Sequence, residues 1–147
     1  MADPTIDDLY LRYFPMIRAK CERMLAPGEA EEVAQETFLR FWQRGPTHSP
    51  RAATAWLYRT STRMAIDRLR RRRVLTDLSQ VPAPGQNRAE ARITLSELVR
   101  DHTPEVLTIV CLCRVDGMNQ IEAGEVTGRS ERTIRRILSE FDQRRSA

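Results

Sequence analysis

The sequence predicts an all-α protein built from two small helical domains that are joined by a flexible linker. Apolar residues recur at spacings of three and four along most of the 147-residue chain, as in helices that bury one face. Pro and Gly cluster at residues 82–85, within the stretch where this pattern fades. We therefore expect a first domain at residues 1–75, a linker at 76–87 and a second domain at 88–147.

Composition and the first residues narrow the class of protein. Apolar residues make up 41% of the chain, which is enough for a core, and charged residues make up 30%. No apolar run approaches the ~20 residues of a membrane span. The chain begins MADPTIDD, which is acidic where a secretory signal is basic and then apolar. We expect a cytoplasmic protein without membrane insertion.

The three cysteines predict neither a disulfide framework nor a metal centre. Their number is odd, so free thiols in a reducing compartment are the default. Cys21 lies on an apolar helical stripe, which indicates a small core residue rather than a nucleophile. Cys111 and Cys113 lie two positions apart on one predicted helix and point in nearly opposite directions, so zinc binding with His102 is disfavoured. We predict no metal ion and no cofactor.

The first two helices are predicted from strong amphipathic patterns. The first begins near Asp3 and Pro4, and Pro15 is expected to kink or split it. The second, at residues 29–44, opens with acidic side chains at its positive end. Its predicted core face comprises Ala30, Val33, Ala34, Thr37, Phe38 and Phe41. Its opposite face comprises Glu31, Glu32, Gln35, Glu36, Leu39 and Trp42.

Leu39 and Trp42 are more apolar than solubility requires of an exposed helix face. One interpretation is that they form a protein-binding surface. The other is that Trp42 folds back onto the first helix. The pattern alone does not choose between the two.

The third helix combines an apolar stripe with a row of cations. Ser49 and Pro50 are a strong helix start, and no Gly or Pro interrupts the following residues up to position 73. The predicted core stripe comprises Ala53, Leu57, Thr60 and Met64. Beside it lie Arg59, Arg63 and Arg70, with Trp56 on the seam, and the helix then runs into Arg71, Arg72 and Arg73.

Charge is concentrated in this third segment. Residues 51–75 hold eight basic side chains and one acidic one, in a chain whose net charge is +4. Cations beside an aromatic ring suit a nucleic-acid backbone with a base to be stacked. The alternative is a solvated arginine face with Trp56 in the core.

The second half of the chain predicts a helix-turn-helix. A helix is expected at residues 88–100, and Thr103-Pro104 begins the next one. Asn119 and Glu122 have capping-box spacing, and they start a short helix that ends before a turn containing Gly128. Ser130 then caps a basic last helix, whose apolar stripe comprises Ile134, Ile137, Leu138 and Phe141. In this arrangement the second helix enters the DNA major groove.

Taken together, these residues resemble the extracytoplasmic-function (ECF) sigma factors of bacterial RNA polymerase. The most specific segment is AEEVAQETFLRFW at residues 30–42, followed by Trp56-Leu57 and by DRLRR at residues 67–71. These segments look like region two of the family, and residues 116–138 look like region four. The resemblance implies a non-enzymatic protein that binds core RNA polymerase and promoter DNA, and it implies an anti-sigma factor as a further partner.

The resemblance also implies roles for individual residues. The side chains expected on the polymerase clamp helices are Glu32, Gln35, Glu36, Leu39 and Trp42. The melted minus-ten element would meet the loop at residues 44–51 together with Trp56, Arg59, Arg63, Arg70, Arg71, Arg72 and Arg73. The duplex minus-thirty-five element would be read by Arg129, Ser130, Arg132, Thr133, Arg135 and Arg136.

The chain departs from the family pattern at two places. Arg63 stands where the family usually has Asn, and AGEVTG at residues 123–128 replaces the usual IAEILG, with Gly124 permitting close helix packing. Two other functional classes compete with the sigma factor. They are a stand-alone helix-turn-helix regulator and a helical adaptor or anti-sigma-like protein. An enzyme is disfavoured because the sequence has no phosphate loop, catalytic-triad spacing or metal cluster.

Overall fold

A computed structural model describes residues 6–45, 49–76 and 98–146, without the side chains of residues 6, 72–76 and 146. The predicted linker, apart from residue 76, lies outside these ranges. So do most of the helix predicted at residues 88–100 and the side chains of Arg72 and Arg73. The domain boundaries therefore stay a prediction.

Six α-helices make up the described part of the chain, in which no strand occurs. They are α1 (Ile6–Glu22), α2 (Pro27–Arg44), α3 (Pro50–Thr76), α4 (Pro104–Val110), α5 (Gln120–Thr127) and α6 (Glu131–Ser146). A π-helical turn, Cys111–Val115, continues α4. The all-α prediction is confirmed.

Helices α1 and α2 pack together through the predicted apolar faces. The six core positions predicted for α2 are all buried, and Cys21 is fully buried on the inner face of α1. The expected split at Pro15 does not occur, because α1 runs through this residue as one helix. Pro15 is exposed, while Phe14 and Ile17 on either side of it are buried. Because Pro has no backbone N–H, α1 lacks one intrahelical hydrogen bond at this residue.

Helix α3 differs from its prediction in length and in its buried face. It extends to Thr76, three residues beyond the predicted end. Ala53 and Leu57 are buried as predicted, but Thr60 and Met64 are only half-buried. The buried face instead includes Ser61, Thr62, Ala65, Ile66 and Leu69. The reason is that α3 contacts elements on two sides, α1 and α2 on one and α4 and α5 on the other.

Burial of two hydroxyl side chains on α3 is possible because both bond within the helix. Ser61 Oγ and Thr62 Oγ1 donate to the Tyr58 carbonyl at 3.2 and 2.7 Å. A buried polar group that finds a partner avoids most of its desolvation cost. These hydroxyls therefore behave as core residues, although the apolar pattern omits them.

The helices of the helix-turn-helix begin and end at the capping residues that the sequence predicts. The Thr103 side chain caps α4, and Asn119 and Glu122 form a reciprocal capping box at the start of α5. Gly128 ends α5 in the left-handed conformation, with φ at +75°. Ser130 Oγ accepts from Thr133 N at 3.1 Å at the start of α6. The four residues of the predicted α6 stripe are buried.

The two halves of the chain pack against each other. One core cluster joins buried residues of α1, α2 and α3 to Val99, Leu107 and Cys111 of the second half. A second cluster lies within the helix-turn-helix half and includes Ile134 and Phe141. The C-terminal half is therefore docked on the N-terminal three-helix unit.

Candidate polymerase and nucleic-acid interfaces

The outer face of α2 carries two large apolar side chains in solvent. Leu39 is 57% exposed and Trp42 is 47% exposed, so Trp42 is not a core residue buried against α1. Glu32 and Gln35 are exposed beside them, and Glu36 is half-buried. A cluster of exposed apolar side chains surrounded by polar groups is typical of a protein-binding surface.

Two carboxylates on this face are paired with arginines, one of them exposed and the other half-buried. Glu36 Oε1 accepts from Arg40 Nη2 at 3.2 Å, and Glu32 Oε2 accepts from Arg68 Nη1 at 3.0 Å. Ion pairs on the surface contribute only about 0–1 kcal/mol each. Both carboxylates can therefore exchange these partners for others at little cost.

The sequence left open whether Trp56 is a core residue or a base-stacking residue. The structure shows a side chain that is partly buried and partly accessible. Its ring is half-buried and packs against Phe41, with ring centroids 5.3 Å apart. The Arg44 guanidinium lies over the same ring, 5.2 Å from its centroid. Trp56 thus packs α3 against α2. The part of its ring that stays accessible lies next to the Arg44 guanidinium.

We call Arg59, Arg63 and Arg70 the cationic face of α3. Arg63 is exposed and has no ion-pair partner among the described residues. Arg59 is half-buried and donates from Nη1 to the Val126 carbonyl at 3.0 Å. Arg70 donates from Nη2 to the His102 carbonyl at 2.8 Å. Two of the three guanidiniums are therefore engaged by the C-terminal half.

Positive charge is dense around Arg59 and Arg63 of α3. Burial, followed by the nearby Arg63 and Arg44 guanidiniums, lowers the pKa of Arg59. Further along the helix, Arg71 is exposed and pairs with Asp67 at 3.3 Å. Such a concentration of like charge favours an anionic ligand over a neutral one.

The predicted DNA-reading residues of the second half share one exposed surface. Arg129, Ser130, Arg132, Arg135 and Arg136 are exposed, and Thr133 is half-buried. Three of these arginines form exposed ion pairs: Arg129 with Glu105 at 2.7 Å, Arg135 with Glu131 at 3.3 Å and Arg136 with Glu140 at 3.5 Å. Arg132 has no ion-pair partner within the described ranges.

A buried ionic cluster was missed by the sequence predictions. Lys20 Nζ lies 2.6 Å from Asp116 Oδ2, and these side chains are 0% and 1% exposed. Arg23 Nη2 lies 2.9 Å from Asp116 Oδ1. The signal was present in α1, where Lys20 occupies the apolar stripe three residues after Ile17. A lysine is almost never fully buried unless it is paired, so a lysine at a core position indicates a buried partner.

Cys21 is a buried core residue, as predicted, and Cys111 is buried as well, whereas Cys113 is half-buried. Burial raises the pKa of the Cys21 thiol to about 11 and that of the Cys111 thiol to about 12. Both thiols are therefore protonated and unreactive near neutral pH. Among the described residues, no group of three or more His, Cys, Asp or Glu side chains is arranged to hold a metal ion.

Comparison with known proteins places these surfaces in a family. Residues 9–74, which span most of α1, all of α2 and nearly all of α3, match the model of Sigma-70 region 2. The chain is 31% identical over 136 residues to the ECF RNA polymerase sigma factor SigW of Bacillus subtilis, covering 78% of this chain and 72% of SigW. The chain belongs to the ECF sigma factors. The resemblance predicted from the sequence is thus confirmed for the family and for region two.

A second ECF sigma factor aligns with almost the whole chain. SigE of Mycolicibacterium smegmatis is 29% identical over 147 residues, which cover 91% of this chain. This chain spans only 57% of the length of SigE. The assignment of the helix-turn-helix to region four stays a prediction. None of the described helices is both long and apolar enough to span a membrane.

Proposed function

We propose that this protein is an alternative sigma factor that binds core RNA polymerase, directs it to promoters and helps to open the DNA. The observation that carries the proposal is the match to Sigma-70 region 2 over a three-helix unit with two distinct surfaces. One surface is the exposed apolar face of α2, and the other is the cationic face of α3. The protein would act in the cytoplasm without catalysing a reaction itself, and an anti-sigma factor is a further expected partner.

The outer face of α2 is the proposed polymerase-binding surface. Leu39 and Trp42 supply apolar area that is exposed in the free protein. Large aromatic side chains commonly dominate the affinity of such interfaces, at about 2 kcal/mol or more each. The remaining proposed contacts are Glu32, Gln35 and Glu36, whose exposed or half-buried positions leave them accessible to basic groups on polymerase.

The surface around Trp56 is the proposed site for the melted minus-ten element. Opening DNA costs stacking energy of about 1.4 kcal/mol per base step. Stacking an unpaired base on an aromatic ring returns about 1–3 kcal/mol. The Trp56 ring is held against Phe41 and is therefore oriented before DNA arrives. The proposed phosphate and base contacts around it are Arg59, Arg63, Arg70, Arg71, Arg72 and Arg73.

The exposed face of α6 and the turn before it form the proposed minus-thirty-five reader. The capped start of α6 presents backbone N–H groups and cations together, which favours phosphate binding. Arg132 is the leading candidate for a base contact because no described carboxylate pairs with it. The other proposed contacts are Arg129, Ser130, Thr133, Arg135 and Arg136.

Binding to purified core RNA polymerase tests the proposal with matched variants. Leu39→Ala and Trp42→Ala should each weaken binding by tenfold or more, as expected for interface anchors worth about 1.4 kcal/mol or more. Leu11→Ala is the control, because Leu11 is 74% exposed on α1 and lies outside the proposed surface. Circular dichroism should show unchanged helicity for all three variants, since each side chain is at least 47% exposed.

Two outcomes would contradict the proposal. If all three variants bind core polymerase as the wild type does, α2 is not the interface. If the wild type binds duplex DNA tightly but does not bind core polymerase at all, the stand-alone helix-turn-helix regulator is the better assignment.

A further inference from the structure

We propose that Gln120 is a positioning residue that orients Arg135 to recognise a guanine in the promoter duplex. The proposal rests on the proposed function, from which it takes α6 as the reader of the minus-thirty-five element. It adds the residue of α5 that holds one reading side chain in place, and it names the base that this side chain fits.

The Arg135 guanidinium contacts acceptors on two different helices. Its Nε donates at 3.3 Å to Oε1 of Gln120, the first residue of α5. Its Nη2 donates at 3.3 Å to Oε1 of Glu131, one turn earlier on α6. Arg129 and Arg136 each pair with a single carboxylate. Among the described arginines of the proposed reader, Arg135 is therefore the one that both helices of the helix-turn-helix hold.

The orientation of the Gln120 amide follows from the chemistry of its partner. A guanidinium has only donors, so the amide oxygen, and not the amide nitrogen, faces Arg135. The Gln120 side chain is half-buried and lies in a surface groove that Leu138 also lines. Gln120 therefore offers its oxygen from a more restricted position than a fully exposed side chain would, and less rotamer freedom is left to lose.

The two contacts leave one edge of the guanidinium free for a base. Nε and Nη2 lie along one edge, and both are engaged. The adjoining edge, formed by Nη1 and the second N–H of Nη2, meets no acceptor among the described residues, and the Arg135 side chain is 63% exposed. Two parallel N–H groups match the O6 and N7 acceptors of guanine in the major groove. Adenine presents a donor in place of O6, so this edge of Arg135 favours guanine.

Holding the arginine before DNA arrives should sharpen its choice of base. Arginine is a long side chain with many rotamers, and ordering such a side chain during binding lowers affinity. A guanidinium that is already oriented avoids most of this loss at the correct base. It is also less able to turn toward a phosphate or a neighbouring base when the guanine is replaced.

The remaining donors of Gln120 suit a DNA phosphate. Within the described ranges, its Nε2 group has no hydrogen-bond acceptor, because the contact with Arg135 uses only Oε1. The first helix of a helix-turn-helix crosses the DNA backbone, and side-chain amides are common donors to phosphate. One side chain can thus relate the register of the protein on the backbone to the direction of the reading arginine.

The test selects bound sequences from a randomised duplex library, using the full chain with and without purified core RNA polymerase. Fluorescence anisotropy then measures affinity for the selected duplex and for its single-base substitutions at each enriched guanine. Arg135→Ala should reduce the preference at one guanine by about 5- to 150-fold, the discrimination of a bidentate pair. Gln120→Ala should reduce the preference at the same guanine by about 2- to 10-fold, as expected when one long side chain must be ordered on binding.

Gln120→Glu separates positioning of the arginine from the phosphate contact. Its carboxylate can still accept from Arg135 Nε but cannot donate, so the guanine preference should return while affinity falls equally on all sequences. Gln143→Ala is the matched control, because Gln143 is exposed on α6 about two turns beyond Arg135. This control should change neither the preference nor the affinity, and circular dichroism should show equal helicity for all four variants.

The outcomes separate this proposal from the proposed function. The positioning role is refuted if Gln120→Ala keeps the wild-type preference, if it lowers affinity equally for all bases, or if Gln120→Glu does not restore the preference. If the chain directs polymerase to discrete promoters but no guanine preference depends on Arg135 and Gln120, the function stands and the positioning role fails. If the chain selects such a guanine but does not bind core polymerase, the positioning role stands and the sigma-factor function fails.

Discussion

Replacing Gly124 with Ala tests how closely α5 approaches the turn before α6. A Cβ atom at this position would lie 2.7 Å from the Arg129 carbonyl oxygen, which is backbone and cannot rotate away. Gly to Ala in a helix interior normally stabilises by up to about 1 kcal/mol. Overpacking of a close contact costs about 1–3 kcal/mol. Because the obstacle is backbone, we expect the clash to win, with a net destabilisation of about 1–2 kcal/mol.

Gly28→Ala is the matched control for this prediction. Gly28 lies in the first turn of α2, and a Cβ atom there would meet nothing within 4 Å. Urea denaturation followed by circular dichroism should show lower stability for Gly124→Ala and equal or higher stability for Gly28→Ala. If Gly124→Ala is as stable as the wild type, the close approach of α5 to Arg129 is not a feature of the folded protein.

Three other perturbations test separate parts of the structure. Asn119→Ala removes the side-chain cap of α5 and should lower the free energy of unfolding by about 1 kcal/mol; an unchanged denaturation midpoint would contradict the capping box. Arg132→Ala should weaken binding to a cognate minus-thirty-five duplex by about 1–3 kcal/mol if this side chain contacts a base, and equal losses on unrelated duplexes would refute base recognition. Thiol labelling at pH 8 should modify the half-buried Cys113 before Cys21 and Cys111. The latter two ionise only as the pH rises toward about 11 and 12, so early labelling of either would contradict their burial.

Features set by neighbouring residues were predictable from the sequence. All six core positions of α2 and the four-residue stripe of α6 were predicted correctly, because each helix buries one continuous face. The caps at Thr103, Asn119 and Ser130 were also predicted, since a cap depends on residues only three positions apart.

Features set by docking of the two halves were not predictable in the same way. Lys20 and Asp116 are 96 residues apart, and no spacing rule relates them. The buried face of α3 was only partly predicted, because contact with α4 and α5 on its second side buries Ser61 and Thr62. For the same reason, the sequence did not predict that Arg59 and Arg70 donate hydrogen bonds to backbone carbonyls of the other half.

Run-off transcription with purified core RNA polymerase on a promoter library tests the central claim most directly. We predict that adding this protein produces transcripts from a discrete set of promoters sharing two sequence elements, and that Trp42→Ala reduces them without loss of helicity. A transcript profile that is identical with and without the protein, in the presence of active polymerase, would contradict the assignment as a sigma factor.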